Sequence, residues 1–169
     1  MTEVLPKHVV RTGALKVDEA MHVRHPLNPN SDVRIHPLSR RAGMKRAHLN
    51  LGRIPPGKES FIPHAHALQE EFIFILEGAA TAVIGETRVS LAPGDFAGFP
   101  TDGVTHHLIN TGTRDLVYLM GGEHTDIEIS KFPSIGKVAV FDLGVGTVQL
   151  YDAISAETKS IAEWVAKKD

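Results

Sequence analysis

His64 and His66 stand one residue apart, and two carboxylates follow at Glu70 and Glu71. On an extended segment alternate side chains share a face, so His64 and His66 project together. Two imidazoles with a carboxylate nearby are a common ligand group for a divalent transition metal. The chain contains no cysteine, which excludes thiolate sites and disulfides, so any metal must rest on His, Asp or Glu. A carboxylate buried beside imidazoles needs a partner, because an isolated buried charge is very costly. A divalent cation provides that partner. Glu70 and Glu71 compete for the role; Glu71 shares its strand face with Ile73 and Ile75, which favours it.

The elements that must position these residues are short. From residue 47 onward, apolar segments of strand length recur at 48–54, 61–66, 71–76, 80–84, 87–91, 95–99, 106–110 and 116–120. Turn signals separate them, among them Pro55-Pro56-Gly57, Glu77-Gly78, Pro93-Gly94 and Asp102-Gly103. That spacing predicts an all-β sandwich or barrel, and no helical period interrupts it as a βαβ unit would require. In the segment 71–76 both faces are apolar, which predicts a strand buried once in the barrel and again under a further layer. Further strands are expected at 126–129, 138–141 and 147–151. Ser155 then offers an N-cap for a helix over 156–167, with Ile161, Trp164 and Val165 on one face.

Residues 1–46 read as an arm packing on the barrel or on a partner subunit, with prolines that break any long helix and a short helical turn near 15–21. Arg40, Arg41, Lys45 and Arg46 form a basic cluster within it, either a solvated or dimer-packing face or an anion contact. The expected organisation is therefore an arm over 1–46, a barrel over 47–152 and a C-terminal helix over 153–169.

Composition narrows the function. A formal net charge of −2 supplies no basic field for nucleic acid, and no helix-turn-helix precedes the β region. The longest apolar run, 72–76, is far too short to span a bilayer, and the first residues carry no secretory apolar core. A cytoplasmic protein acting on a small molecule is the expectation.

Two stretches carry a family resemblance. Residues 57–78 resemble the first cupin motif: His64-x-His66, then Glu71 after four intervening residues, then Gly78 after six more. Six residues separate Gly57 from His64, one more than the usual pattern. Residues 94–110 resemble the second motif, with Gly94, Pro100, Gly103, His106 and Asn110 in the family order and one extra residue between Pro100 and Gly103. The resemblance implies a jelly-roll barrel, the double-stranded β-helix. It also implies a metal held by His64, His66, Glu71 and His106, with His106 preferred to His107 by its spacing to Asn110. Such a set suits Mn, Fe, Zn, Ni or Co and leaves coordination positions open for a substrate with adjacent oxygens. The metal then acts as a Lewis acid in isomerase- or lyase-like proton transfer. An Fe(II) dioxygenase with the same ligands and a non-catalytic sugar-binding module are the alternatives. The stretches 95–100 and 106–110 resemble small bacterial single-domain cupins provisionally labelled sugar-phosphate isomerases. That group often carries Tyr-Pro-Asp where this chain has Phe132-Pro133-Ser134. The resemblance further implies a homodimer. Candidates for proton transfer are His48, Tyr118 and His124, and Phe96, Phe99 and Met120 are candidate pocket walls.

Overall fold

The computed structural model describes residues 6–155 and residue 160. Thirteen strands run through the described residues: β1 Met21–Val23, β2 Val33–Pro37, β3 Ala47–Ile54, β4 Ala65–His66, β5 Glu71–Glu77, β6 Ala80–Ile84, β7 Thr87–Leu91, β8 Phe96–Phe99, β9 His106–Asn110, β10 Leu116–Glu123, β11 Ile127–Phe132, β12 Lys137–Asp142 and β13 Thr147–Asp152. Among the described residues the one α-helical turn, α1, is Leu38–Arg41. The strands form three sheets, ordered β1-β2-β3-β10-β5-β8, β13-β12-β11-β4 and β7-β6-β9. The pairings between named strands are antiparallel.

The core follows from alternation. On β5 Ile73 and Ile75 are buried, on β9 Leu108 and Asn110, on β10 Leu116 and Tyr118. These meet Ala80 and Ala82 of β6 and Val33 and Ile54 from β2 and β3, so the six-stranded and three-stranded sheets close face to face over one core. This is the all-β barrel that the spacing of apolar segments predicts.

Two local expectations are corrected. The segment 61–66 is not one strand: only Ala65–His66 is, and residues 61–63 bend. Pro63 has no N–H to give a ladder, which favours the break. The break lets the chain change partners, since His64 bridges to His106 of β9 while His66 pairs with Ser130 of β11. Second, the outward face of β5 is not sealed under another layer. Phe72 and Phe74 are half-buried and Leu76 is exposed, and Phe72 stacks at 5.7 Å on Phe96, which is 63% exposed. The N-terminal segment adds β1 and β2 to the edge of β3 and holds a 3-10 turn at Val17–Glu19, within the stretch expected to turn. Arg40, Arg41, Lys45 and Arg46 are all exposed. The expected helix over 156–167 lies outside the described residues. Among the described residues no helix is long and apolar enough to cross a membrane.

One glycine is required by close approach. Gly122 of β10 pairs with Glu71, and a Cβ there would sit 2.0 Å from the Glu70 carbonyl oxygen. Gly122→Ala must therefore push β5 away, at an expected cost of about 3 kcal/mol, the upper range for overpacking. Urea unfolding followed by circular dichroism measures it; an unchanged midpoint would show that the backbone yields freely.

Candidate metal centre

Each member of the cluster is placed by a different element. His64 is held by its bridge to β9, with His106 N–H donating to the His64 carbonyl at 2.8 Å. His66 sits on β4, Glu71 opens β5 and His106 opens β9. One ligand atom from each of the four comes within 4.8 Å of all the others. The His66 and His106 Nε2 atoms lie 3.0 and 3.4 Å from the same Glu71 oxygen, Oε2. His64 Nδ1 donates to the Ile62 carbonyl at 2.9 Å, which leaves its Nε2 lone pair free. Phe99 stacks on the His106 ring at 3.9 Å and 3°, fixing its plane.

This arrangement fits a divalent ion. His66 Nε2 is close to Glu71 but out of line for a hydrogen bond, and His66 Nδ1 and Nε2 and His106 Nδ1 are buried without a hydrogen-bond partner. Buried imidazole nitrogens are ordinarily satisfied. His66 Nε2 and a carboxylate oxygen 3.0 Å apart, yet not aligned on one another, are groups aimed at a shared centre. Bonds of about 2.0–2.2 Å from N and O to such an ion would bridge these separations with small rotamer adjustments.

The electrostatics agree. Burial pushes His64 down to about 4, helped by the neighbouring His106, so its imidazole is neutral at pH 7. Burial pulls His66 down too, but contact with Glu71 and the charges of Glu71 and Glu128 outweigh it, and the net shift is upward. Burial raises Glu71, yet the hydrogen bond from His106 and the contacts and charges of His66 and His64 hold it far below the usual carboxylate range. The site thus keeps an anion among imidazoles, as cation binding requires.

The sequence reading omitted Glu128. It lies on β11, is 3% exposed, and accepts the Ala67 N–H at 3.0 Å. The same oxygen lies 3.4 Å from His66 Nδ1. A carboxylate behind a ligating imidazole fixes its tautomer and raises its basicity. The signal was faint, one acidic residue alternating with Ile127 and Ile129 on a strand.

The other nominated residues separate. His48 lies against the cluster, its Nε2 3.8 Å from Glu71 Oε1 and its Nδ1 2.8 Å from the Glu123 carbonyl. Tyr118 is buried in the core, and burial together with the Glu71 charge pushes its phenol up, so it stays protonated. His124 is exposed and lines neither cavity at the cluster. Glu70 is exposed, and His107 turns toward Glu59 at 4.0 Å. Phe99 and Met120 line a small void of about 30 Å³ behind the cluster, together with Tyr118.

Two larger cavities border Glu71. One, of about 620 Å³, is lined by His48, Phe72, Phe96 and Phe99. The other, a chamber of about 640 Å³, is bordered by His64, His66, Glu71 and Glu128 and walled by β11, β12 and β13. The basic cluster at 40–46 contributes no side chain to either.

The comparisons with known proteins bear on this geometry. The family described as Cupin domain matches residues 50–122, which contain all four cluster residues. A protein of Acidithiobacillus ferrooxidans, provisionally labelled a sugar phosphate isomerase, is 28% identical over 91% of this chain and 97% of its own, with a TM-score of 0.84. A Silicibacter pomeroyi protein labelled a sugar phosphate isomerase of the cupin superfamily is 24% identical over 86% of this chain and 96% of its own, with a TM-score of 0.74. The polyketide cyclase RemF of Streptomyces resistomycificus shares the fold at 20% identity over 66% of this chain and 78% of its own, with a TM-score of 0.53. No curated protein matches the sequence. The all-β barrel, the two motifs and these likenesses agree that residues 50–122 form a cupin domain.

Proposed function

We propose that this protein is a metal-dependent enzyme that moves a proton between adjacent carbons of a small hydroxycarbonyl compound, with the ion held by His64, His66, Glu71 and His106. The observation that carries it is the convergence of these four side chains, three of which, His64, His66 and Glu71, border a substrate-sized chamber. Bound there, a divalent Mn, Fe, Zn, Ni or Co supplies Lewis acidity toward a substrate oxygen. The remaining work falls to the chain. Glu128 orients His66, and Phe99 fixes the plane of His106. His48 donates from Nδ1 to the Glu123 carbonyl and sets its Nε2 3.8 Å from Glu71 Oε1, but it lines the other cavity at Glu71 and not this chamber, so we assign it no proton transfer. The label of the Acidithiobacillus relative names a reaction of this type.

Elemental analysis of protein purified without added metal, followed by solvent deuterium exchange at the α-carbon of a panel of hydroxyketones and aldoses, tests the reading. Exchange under argon that is lost when the metal is chelated and restored when it is added back supports it. Turnover only with Fe(II) and O₂ would replace it with a dioxygenase. Ligand-induced thermal stabilisation without any product would replace it with a binding module.

Metal uptake is expected to depend on pH in a set direction. His66 is raised above its ordinary value in the metal-free fold, and a ligand must be neutral, so uptake near pH 7 displaces a proton. Affinity therefore climbs as pH rises through the His66 pKa and levels off above it. Titration calorimetry in buffers of different ionisation enthalpy counts the released proton; a buffer-independent heat would contradict it.

The homodimer belongs to the same reading. Phe96 is exposed on β8, an edge strand of the six-stranded sheet, and its ring continues the apolar face of Phe72. Light scattering at micromolar concentration is expected to give twice the chain mass; a monomer would refute it.

A further inference from the structure

The chamber beside the four-residue cluster is apolar over most of its wall. Phe61, Phe132, Phe141, Leu143, Val148 and Leu150 supply most of that surface. Its inner end is a ring of aromatic side chains. Phe61 meets the His64 ring edge-on at 6.1 Å, Phe132 lies 6.3 Å from it, and His25 stands 6.1 and 5.8 Å from Phe61 and Phe132. Away from the cluster, Gln69 donates to Thr125 at 2.8 Å, and one Glu128 oxygen takes the Ala67 N–H. Among the described lining residues Arg24 is the one Arg or Lys. Its guanidinium is 70% exposed, stands at the rim and lies 3.8 Å from Asp32. A phosphate group needs cationic or N–H donors arranged to receive it, and away from Arg24 and the His25 ring this wall presents hydrocarbon instead.

We propose, resting on the metal reading above, that the chamber takes a compound with two adjacent oxygens at one end and an aromatic or branched hydrocarbon body, and not a phosphorylated sugar. The oxygens face the cluster and the body lies among Phe61, Phe132 and the β12–β13 side chains. Desolvating such a body is favourable, whereas a phosphate there would lose its water without gaining donors.

Three hydroxamates share one chelating head and separate these possibilities: benzohydroxamate carries a ring, acetohydroxamate a methyl group and phosphoglycolohydroxamate a phosphate. They are titrated into Co(II)-loaded protein and followed by the visible absorption of the ion. Benzohydroxamate is expected to bind at least about tenfold tighter than acetohydroxamate, the gain from burying a ring. Phosphoglycolohydroxamate is expected to bind no tighter than acetohydroxamate. Tightest binding by the phosphate probe overturns the proposal, and so does equal affinity for all three. Val148 is 57% exposed on β13, so Val148→Lys is tolerated by the fold and places a cation on the wall. It should shift the ranking toward the phosphate probe; an unchanged ranking counts against the proposal. Failure of the metal reading shows separately, as absence of cobalt by elemental analysis. The chamber is then ranked on metal-free protein by saturation-transfer NMR with benzyl alcohol and glycerol phosphate. Contact by benzyl alcohol alone supports the apolar class, and preference for glycerol phosphate overturns it.

Discussion

His66→Ala is expected to lower affinity for a divalent cation by more than about a hundredfold, beyond the range that loss of an outer hydrogen-bonding partner causes. His66 is the group on which the others depend. Its Nε2 is within 3.0 Å of the Glu71 carboxylate and its Nδ1 is backed by Glu128. Alanine leaves both carboxylates without their shared imidazole, and the remaining ligands cannot enclose an ion. Elemental analysis and competition titration with a chromophoric chelator measure the loss. Glu70→Gln is the matched control: Glu70 is exposed and should leave affinity unchanged. Full metal content in a folded His66→Ala protein, or loss of metal in Glu70→Gln, would sink the ligand assignment.

Glu128→Gln should weaken metal binding by about 10–100-fold, the range for outer partners of ligating histidines. The amide keeps an oxygen for the Ala67 N–H but loses the charge that faces His66 Nδ1. Glu128→Ala removes the acceptor as well. The Ala67 N–H then keeps only the Ile129 carbonyl and the Leu68 N–H loses its acceptor, and stability should fall by a further ~1 kcal/mol. The two variants together divide ligand orientation from fold maintenance. Chelator competition reads the first and urea unfolding the second. Unchanged metal affinity in Glu128→Gln would show that the carboxylate serves only the backbone of 67–68.

Much of this was legible in the chain. Alternation on β9 put His106 inward with Leu108 and Asn110 and turned His107 away, because a strand has a period of two. The same rule chose Glu71 over Glu70. It failed at 61–66, where an unbroken strand was expected and Pro63 separates two pairings. It also overstated the covering of β5, since apolar residues on both faces do not say whether a further layer exists to meet the outer one. Glu128 was missed because it is some sixty residues from the ligand it supports and is buried only by the return of β11 beside β4.

The sequence by itself determined the ligand types, their spacing and the β class, since each depends on local identity and on the period of a strand. The absence of cysteine limited the site to imidazole and carboxylate before any folding was considered. Only the tertiary structure decided that His64 and His66 belong to different pairings, that Glu128 backs His66, and that the chamber beside them is walled by hydrocarbon from β11, β12 and β13. Those are contacts between segments distant in the chain. They are set by which strands lie side by side, and no local period encodes that order.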